Sequence, residues 1–109
     1  MNIQIFGKTK CFDTKKAERY FKERGVKFQS VDILQKGLSK GELNSVIAAI
    51  GIDNLVSDKA EEYHLFRHLT PEAKPDKLLE CPKLVKTPIV RNGRSATIGY
   101  CPDVWKGWE

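Results

Sequence analysis

Hydrophobic and polar residues alternate in two short runs near the start of the chain. Ile3 and Ile5 are separated by a polar residue, in a run that closes at Gly7. A second run, residues 26–33, alternates in the same way. A period of two is typical of a strand with one face buried. The pattern therefore predicts two strands within the first third of the chain.

Between these runs the apolar spacing changes to that of a helix. Ala17, Tyr20 and Phe21 fall on one helical face, and Arg24-Gly25 supplies a cationic last turn followed by a left-handed stop. A strand, a helix of about three turns and a strand imply a right-handed parallel unit.

The middle of the chain begins with a helix start signal. Ser39 and Glu42 have the spacing of a capping box, in which each side chain accepts a hydrogen bond from the other residue's backbone. Gly51 ends the predicted helix. Its apolar face consists of Leu43, Val46, Ile47 and Ile50.

More helix is predicted after this one. Ser57 or Asp58 can cap a helix through about residue 69, and Thr70-Pro71 places a cap and a first-turn proline at the start of the next. Pro75 either shortens that last helix or restarts it.

The last third of the chain predicts a β-hairpin. Residues 87–91 form an extended segment, Asn92-Gly93 is a favoured dipeptide for a tight turn, and residues 94–99 return. Residues 102–108 have room for a short terminal helix with two tryptophans available to cover the sheet.

This order of elements predicts an α/β, thioredoxin-like fold. The expected sheet is four-stranded and mixed, with a parallel β-α-β unit, an antiparallel C-terminal hairpin, helices on both faces and a helical insertion between strands 2 and 3. The chain has 109 residues, of which 40% are hydrophobic. That size suits a single domain over residues 1–109.

Composition excludes several classes of protein. No apolar run approaches the roughly 20 residues needed to span a bilayer, and the start lacks a secretory signal, so we expect a soluble, cytoplasmic protein without a membrane partner. The net charge is +5, with much of the basic excess between Lys8 and Lys27. Acidic residues interrupt this stretch and no aromatic array accompanies it, which disfavours nucleic acid. A small anion, an anionic thiol or an acidic protein surface fits better.

The cysteines and histidines do not have the spacing of a metal site. Cys11, Cys81 and Cys101 are an odd and widely separated set, which disfavours a disulfide framework and a zinc site. His64 and His68 are expected on one face of a helix as a solvated pair. No metal is predicted.

Cys11 is the candidate nucleophile. It lies at the mouth of the first helix, where unpaired N–H groups and the helix dipole favour the thiolate, and the ammonium groups of Lys8 and Lys10 can add to this effect. A buried structural cysteine is the alternative. We expect Cys81 to pack as a small apolar residue without chemistry, and Cys101 to be structural rather than a resolving thiol.

Several motifs together resemble one family. They are Ile5-Phe6-Gly7 leading to Cys11, Lys15-Lys16-Ala17, Val31-Asp32-Ile33, Leu38-Ser39, Thr87-Pro88-Ile89-Val90, Ile98-Gly99-Tyr100 and the ending Cys101-Pro102-Asp103-Val104-Trp105. In this order the chain resembles the arsenate reductase (ArsC)/Spx family of thioredoxin-like proteins, and an ArsC-like subgroup of ill-defined activity within it.

The resemblance implies a chemistry for Cys11. In the arsenate reductases of this family the equivalent cysteine attacks arsenate, and glutathione or a glutaredoxin releases arsenite. Arginines hold the oxyanion, but this chain has Thr87 at one of those positions and only Lys59 in the segment of another. A threonine or an ammonium cannot grip an oxyanion as a guanidinium does. Arg91 and Arg94 are either replacements or ordinary exposed hairpin residues.

Two further expectations come from the resemblance. Members that resemble Spx often have a second cysteine three positions after the first, where this chain has Thr14, so any resolving thiol must come from elsewhere. Thr14 is instead expected to position the first helical turn. Thioredoxin-like folds place a cis proline beside the active cysteine, which predicts a cis Thr87-Pro88 bond with its backbone turned toward a thiol substrate such as glutathione.

Two functions follow from the residues and the resemblance. The first is a monothiol oxidoreductase with no bound cofactor, which uses glutathione or a glutaredoxin-type protein as external reductant. The second is a noncatalytic redox-sensing regulator that resembles Spx and binds a protein such as RNA polymerase. In either case we expect a monomer.

Overall fold

A computed structural model describes residues 2–108 of the chain. Strands and helices alternate through the first third of it, helices fill the middle, and a hairpin and a short helix complete the domain. In chain order the elements are β1 (Ile3–Gly7), α1 (Phe12–Glu23), β2 (Phe28–Asp32), α2 (Lys40–Ile50), a 3-10 turn (Ile52–Leu55), α3 (Tyr63–Phe66), α4 (Lys74–Glu80), a second 3-10 turn (Pro82–Leu84), β3 (Ile89–Asn92), β4 (Ser95–Ile98) and α5 (Pro102–Lys106).

The four strands form one mixed sheet in the order β2-β1-β3-β4. β1 is parallel to β2, with Gly7 opposite Asp32, and antiparallel to β3, with Phe6 opposite Ile89. β3 and β4 form an antiparallel hairpin. The predicted fold class is therefore confirmed, including the parallel unit, the hairpin and the insertion between the second and third strands.

Successive residues of β1, an inner strand of the sheet, point to opposite faces, and the core accordingly consists of two clusters. Phe6 joins the cluster under the inserted helices, together with Val31, Ile33, Leu43 and Leu78. Ile3 and Ile5 join the cluster under α1 and α5, together with Ala17, Tyr20, Phe21, Val90 and Trp105. Helices thus cover both faces of the sheet. β2 contributes Val31 to the first cluster and packs Phe28 against the second. Apolar residues of β2 therefore lie on both faces of the sheet, whereas its alternating sequence predicted one buried face.

The predicted capping box is present at the start of α2. The hydroxyl of Ser39 accepts from the backbone N–H of Glu42, and the Glu42 carboxylate accepts from the backbone N–H of Ser39. Gly51 ends the helix with a φ of 95°, in the region that favours glycine.

The helix predicted from Ser57 or Asp58 to about residue 69 is wrong. Val56 pairs with Val85 in an isolated bridge, and the Ser57 N–H donates to the Leu84 carbonyl. These bonds hold Val56 and Ser57 in extended pairing, turns and a bend follow over residues 58–62, and only α3 (Tyr63–Phe66) is helical. Consequently His68 lies beyond the helix that contains His64, and the two do not form the predicted helical pair.

The next helix also begins later than predicted. The Thr70 hydroxyl accepts from the Ala73 N–H, but it caps a turn, and α4 (Lys74–Glu80) starts with Pro75 in its first turn. Of the two alternatives for Pro75, the structure shows the restart.

The hairpin turn lies one residue further along than predicted. Asn92 pairs with Ser95, so the two loop residues are Gly93 and Arg94. Gly93 has a φ of 61°, and no non-glycine residue among those described has a positive φ. A glycine at the first central position with a positive φ is the arrangement of a type II′ turn.

No helix within residues 2–108 is both long enough and apolar enough to span a membrane.

Candidate active site

Cys11 is placed at the start of α1 by a tight turn that follows β1. Its N–H donates to the Lys8 carbonyl at 3.0 Å, and its own carbonyl accepts from Lys15 at 3.3 Å as the first bond of the helix. Its backbone is extended, with φ of −89° and ψ of 115°, and it is the N-cap residue of α1. The sulfur is therefore held at the helix start, half-buried, where the sequence predicted it.

Three groups around the sulfur determine its acidity. The Cys11 thiol donates to the Thr87 carbonyl at 3.6 Å. Burial alone would raise the pKa of Cys11, but the hydroxyls of Thr14 and Thr87 and the N–H groups of the first turn of α1 stabilise the thiolate, and the net effect lowers the pKa. The position of Cys11 thus favours a nucleophilic thiolate.

Thr14 is buried, with 6% of its surface exposed, and its hydroxyl oxygen has no partner of ordinary hydrogen-bond geometry among the described groups. The same hydroxyl is close enough to Cys11 to lower the pKa of the thiol. An unpaired buried hydroxyl is costly, whereas a hydroxyl that donates to an anion is not. Thr14 is therefore arranged for the ionised form of Cys11.

Gly7 allows Thr14 to occupy this position. A Cβ atom on Gly7 would lie 2.2 Å from Cγ2 and 2.6 Å from Oγ1 of Thr14. Only a glycine lets the end of β1 approach α1 this closely. Gly7 was predicted as the end of a strand and as part of a family motif, and a glycine four residues before the candidate nucleophile was also a signal of close packing.

Lys8 has a role in addition to the predicted one of stabilising the Cys11 thiolate. Its ammonium group donates to the backbone carbonyls of Lys83 at 3.1 Å and Val85 at 2.8 Å, and so ties the loop before Cys11 to the segment before β3. Burial lowers the pKa of Lys8, and the thiols of Cys11 and Cys81 oppose this effect. Lys8 is thus a tether close to Cys11 rather than an exposed anion ligand, and nothing in its local sequence indicated this.

An open cavity of about 630 Å³ lies beside the nucleophile. Its lining consists of Lys8, Thr9, Lys10, Cys11, Asp32, Leu34 and Gln35. Lys10 is exposed at this cavity. The Asp32 carboxylate accepts from the Thr9 hydroxyl at 2.8 Å and from the Leu34 N–H at 3.0 Å, and so fixes the cavity wall.

The Thr87-Pro88 peptide bond is cis, as predicted. Pro88 is buried and Thr87 is half-buried, and the Thr87 carbonyl faces Cys11. The structure therefore brings together Lys8, Lys10, Cys11, Thr14, Thr87 and Pro88 from the predicted site.

The structure does not bring the hairpin arginines to this site. Arg91 pairs with Gln4 near the start of β1, and its guanidinium donates to the Gln4 side chain at 3.0 Å and to the Gly93 carbonyl at 3.1 Å. Arg94 is an exposed residue of the hairpin turn. Because β1 runs from this end of the sheet toward Cys11, both arginines lie at the opposite end. Of the two alternatives for Arg91 and Arg94, the geometry favours hairpin residues over replacements for the family's oxyanion ligands.

Lys59 is exposed in a turn, where its N–H donates to the Ser57 hydroxyl at 3.4 Å. No side-chain contact within residues 2–108 joins it to Cys11. Lys59 therefore stays a predicted ligand that the geometry does not support.

The pKa values of the other two cysteines are shifted in the opposite direction from that of Cys11. Burial and the Glu62 carboxylate raise the pKa of Cys81, and burial raises the pKa of Cys101. Cys101 donates to the Ile98 carbonyl at 3.2 Å and packs against the cluster under α1 and α5, while Cys81 packs against the other cluster. Both environments agree with the predicted structural roles, and all three thiols are free.

Known proteins resemble this chain in both sequence and fold. A family model described as glutaredoxin matches residues 3–51. The global transcriptional regulator Spx 2 of Oceanobacillus iheyensis is 28% identical, over 94% of this chain and 80% of that protein. The protein YusI of Bacillus subtilis is 24% identical, over 94% of both chains. The solved structure of an arsenate reductase from Vibrio cholerae has the same fold, with a TM-score of 0.83 at 23% identity over 95% of this chain and 94% of that one.

The glutaredoxin match covers the β-α-β unit that carries Cys11, and the Spx and arsenate reductase matches extend over nearly the whole domain. Together with the cis proline beside the cysteine, they agree with the motifs found along the sequence. The chain thus resembles the ArsC/Spx family of thioredoxin-like proteins, in sequence through the Spx relative and in fold through the arsenate reductase.

Proposed function

We propose that this protein is a monothiol oxidoreductase whose nucleophile is the Cys11 thiolate. The observation that carries the proposal is the contrast among the three cysteines. The pKa of Cys11 is lowered at a helix start, while the pKa values of Cys81 and Cys101 are raised by burial. A thiol that ionises more readily than the others in the same chain is the one equipped for exchange.

The reaction we propose is thiol–disulfide exchange. The Cys11 thiolate attacks one sulfur of a disulfide, a new bond forms between the two sulfurs, and the other sulfur leaves as a thiolate. A thiolate from glutathione or from a glutaredoxin-type protein then attacks this mixed disulfide at the sulfur that is bonded to Cys11. Cys11 leaves as a thiolate, and the two external sulfurs end as a disulfide.

The surrounding residues have distinct parts in this exchange. The N–H groups of the first turn of α1 and the Thr14 hydroxyl stabilise the thiolate both before attack and when it is released. The Thr87 carbonyl holds the thiol form, and the open cavity beside Cys11 admits the second sulfur.

A sulfur substrate fits this site better than arsenate. Arg91 and Arg94 lie at the far end of the sheet, and the ammonium of Lys8 already donates to two carbonyls. Lys10 is then the exposed cation at the cavity, and a single ammonium provides a point charge without the paired donors that grip an oxyanion. We infer that disulfides, rather than arsenate, are the substrates.

Turnover of a small disulfide tests the proposal. The purified protein is supplied with hydroxyethyl disulfide and glutathione, and glutathione disulfide formation is followed through glutathione reductase. We expect turnover that is lost in Cys11→Ser and retained in the matched variant Cys101→Ser. Equal rates for the native protein and Cys11→Ser would refute the proposal, and a parallel assay with arsenate is expected to yield no arsenite.

A second candidate function rests on the relative from Oceanobacillus iheyensis, which is a transcriptional regulator. In that case Cys11 is a redox sensor in a cytoplasmic regulator, and the partner is RNA polymerase. Copurification of RNA polymerase with the tagged native protein, with the same yield from Cys11→Ser, would favour this function over catalysis.

A further inference from the structure

Two exposed apolar side chains adjoin the nucleophile, Phe12 as its neighbour in the chain and Leu34 as part of the cavity wall. Phe12 follows Cys11 directly and is 79% exposed, the largest exposure among the large hydrophobic residues described. Leu34 lines the cavity that contains Cys11 and is 48% exposed. Exposed apolar side chains beside a reactive atom are available for burial against an apolar group of a substrate.

The cavity also has a basic character. Lys8 and Lys10 line it, and the one carboxylate in its wall, Asp32, is occupied by two hydrogen bonds from its own loop. An approaching partner therefore meets two apolar side chains and a net positive charge around one sulfur. Acidic groups on the partner complement that charge.

Small substrates leave part of this surface unused. Glutathione offers a carboxylate for Lys10 but no apolar side chain for Phe12 or Leu34, and a free oxyanion offers only charge. A cysteine within a polypeptide, with an apolar and an acidic residue beside it, offers a sulfur for Cys11, an apolar group for Phe12 or Leu34, and a negative charge for the basic cavity.

We infer that the substrate of Cys11 is a polypeptide disulfide whose cysteine has apolar and acidic neighbours, and that Phe12 and Leu34 select it. This inference rests on the proposed function and narrows its substrate class. In the reaction, Cys11 becomes bonded to the polypeptide cysteine as the second sulfur leaves, and a low-molecular-weight thiol later releases the polypeptide.

Activated peptides test this specificity. Three short peptides each bear one cysteine as its 2-thiopyridyl disulfide: the first has leucine and glutamate beside the cysteine, the second has serine in place of leucine, and the third has lysine in place of glutamate. Release of thiopyridone gives the second-order rate constant for each. We expect the first peptide to react about fivefold faster than either of the others, a ratio typical of one partly buried apolar contact or one charge pair.

Matched surface variants identify the side chains responsible. Leu34→Ser is compared with Val104→Ser, because Leu34 and Val104 are 48% and 49% exposed, and Phe12→Ser is compared with Leu65→Ser, since Leu65 is 55% exposed. The advantage of the leucine peptide over the serine peptide should disappear in Leu34→Ser and Phe12→Ser and persist in Val104→Ser and Leu65→Ser.

The outcomes also separate this inference from the proposed function. In a Cys81→Ser/Cys101→Ser background, reaction with dithiodipyridine, which needs no docking, measures the Cys11 thiolate alone. A fast dithiodipyridine reaction together with equal rates for the three peptides would overturn the inference and leave the proposed function standing. Slow reaction of Cys11 with both reagents would overturn both, and loss of peptide preference in Val104→Ser to the same extent as in Leu34→Ser would overturn the role of Phe12 and Leu34.

Discussion

Replacement of Thr14 by valine should make the protein more stable and less reactive at once. Valine keeps the shape of the side chain but removes the hydroxyl, which is buried at 6% exposure and lacks a partner of ordinary geometry when Cys11 is protonated. An unsatisfied buried hydroxyl costs about 1–3 kcal/mol. Since threonine and valine have similar helix propensities, we expect the free energy of unfolding to increase by about 1 kcal/mol at mildly acidic pH.

The loss of reactivity follows from the same hydroxyl. Its hydrogen bond to the thiolate is a bond to a charged group, worth about 1.5–3 kcal/mol, and the lower end applies because Cys11 is only half-buried. Loss of about 1.4 kcal/mol decreases the thiolate population about tenfold. Because a more basic thiolate is intrinsically more nucleophilic, the exchange rate at neutral pH should fall only about threefold.

The pH dependence gives a further check on the sign. The folded state lowers the pKa of Cys11 below its ordinary value. This contributes stability above the ordinary pKa, and the contribution is lost as the pH falls through the folded pKa. The stability gain of Thr14→Val should therefore be largest at acidic pH and shrink as the pH rises through the range in which native Cys11 ionises.

Alkylation by iodoacetamide against pH, in a Cys81→Ser/Cys101→Ser background, measures the change in Cys11 reactivity. Urea unfolding at several pH values measures the change in stability. Thr14→Ser is the control, because it keeps the hydroxyl and should retain the native alkylation profile. An alkylation midpoint in Thr14→Val identical to the native one would refute the role of the hydroxyl.

Three other substitutions probe the Lys8 tether, the capping box and the cluster under α1 and α5. Lys8→Met removes two charge-assisted hydrogen bonds from the loop before Cys11 and should decrease stability by about 1–3 kcal/mol and raise the pKa of Cys11, as seen by urea unfolding and alkylation. Ser39→Ala removes the cap of α2 and should cost about 1 kcal/mol in urea without any change in Cys11 alkylation. Trp105→Phe leaves the Thr97 hydroxyl without the indole N–H that lies 2.8 Å away, and should lower the midpoint of thermal unfolding with a cost of about 2–4 kcal/mol.

Each of these has an outcome that contradicts it. Unchanged stability of Lys8→Met would mean that its two carbonyl bonds contribute nothing net. A Ser39→Ala variant with altered Cys11 reactivity would show that the inserted helices influence the nucleophile. Trp105→Phe as stable as the native protein would show that the buried bond to Thr97 is dispensable.

The parts of the fold that could be read from sequence are those with a local physical signal. Ser39 and Glu42 specify a capping box through their own side chains, and Gly25 ends a helix because of its backbone freedom. The segment after Ser57 could not be predicted in this way. At the start of this segment Val56 pairs with Val85 and the Ser57 N–H donates to Leu84, more than 25 positions along the chain. Such distant bonds override a local cap signal.

The candidate site shows the same division. Cys11 could be placed from the strand before it and the helix after it. Lys8 could not, because its carbonyl partners belong to Lys83 and Val85, and its side chain turns inward to reach them. The distance of Arg91 from Cys11 could not be derived from the hairpin turn alone, because it depends on how β3 pairs with β1. The register of β3 against β1 settles that distance.

The separation of the core into two clusters affects which amino-acid substitutions this domain tolerates. α1, which carries the nucleophile, packs on one side of the sheet, and the inserted helices pack on the other. Thr14 and Gly7 adjoin one another directly, with no residue of the inserted helices between them. Substitutions that repack the inserted helices, and leave in place the backbone of residues 83–85 that Lys8 binds, can therefore accumulate over evolutionary time while the acidity of the sulfur stays constant, and new binding surfaces can evolve there around an unaltered reactive centre.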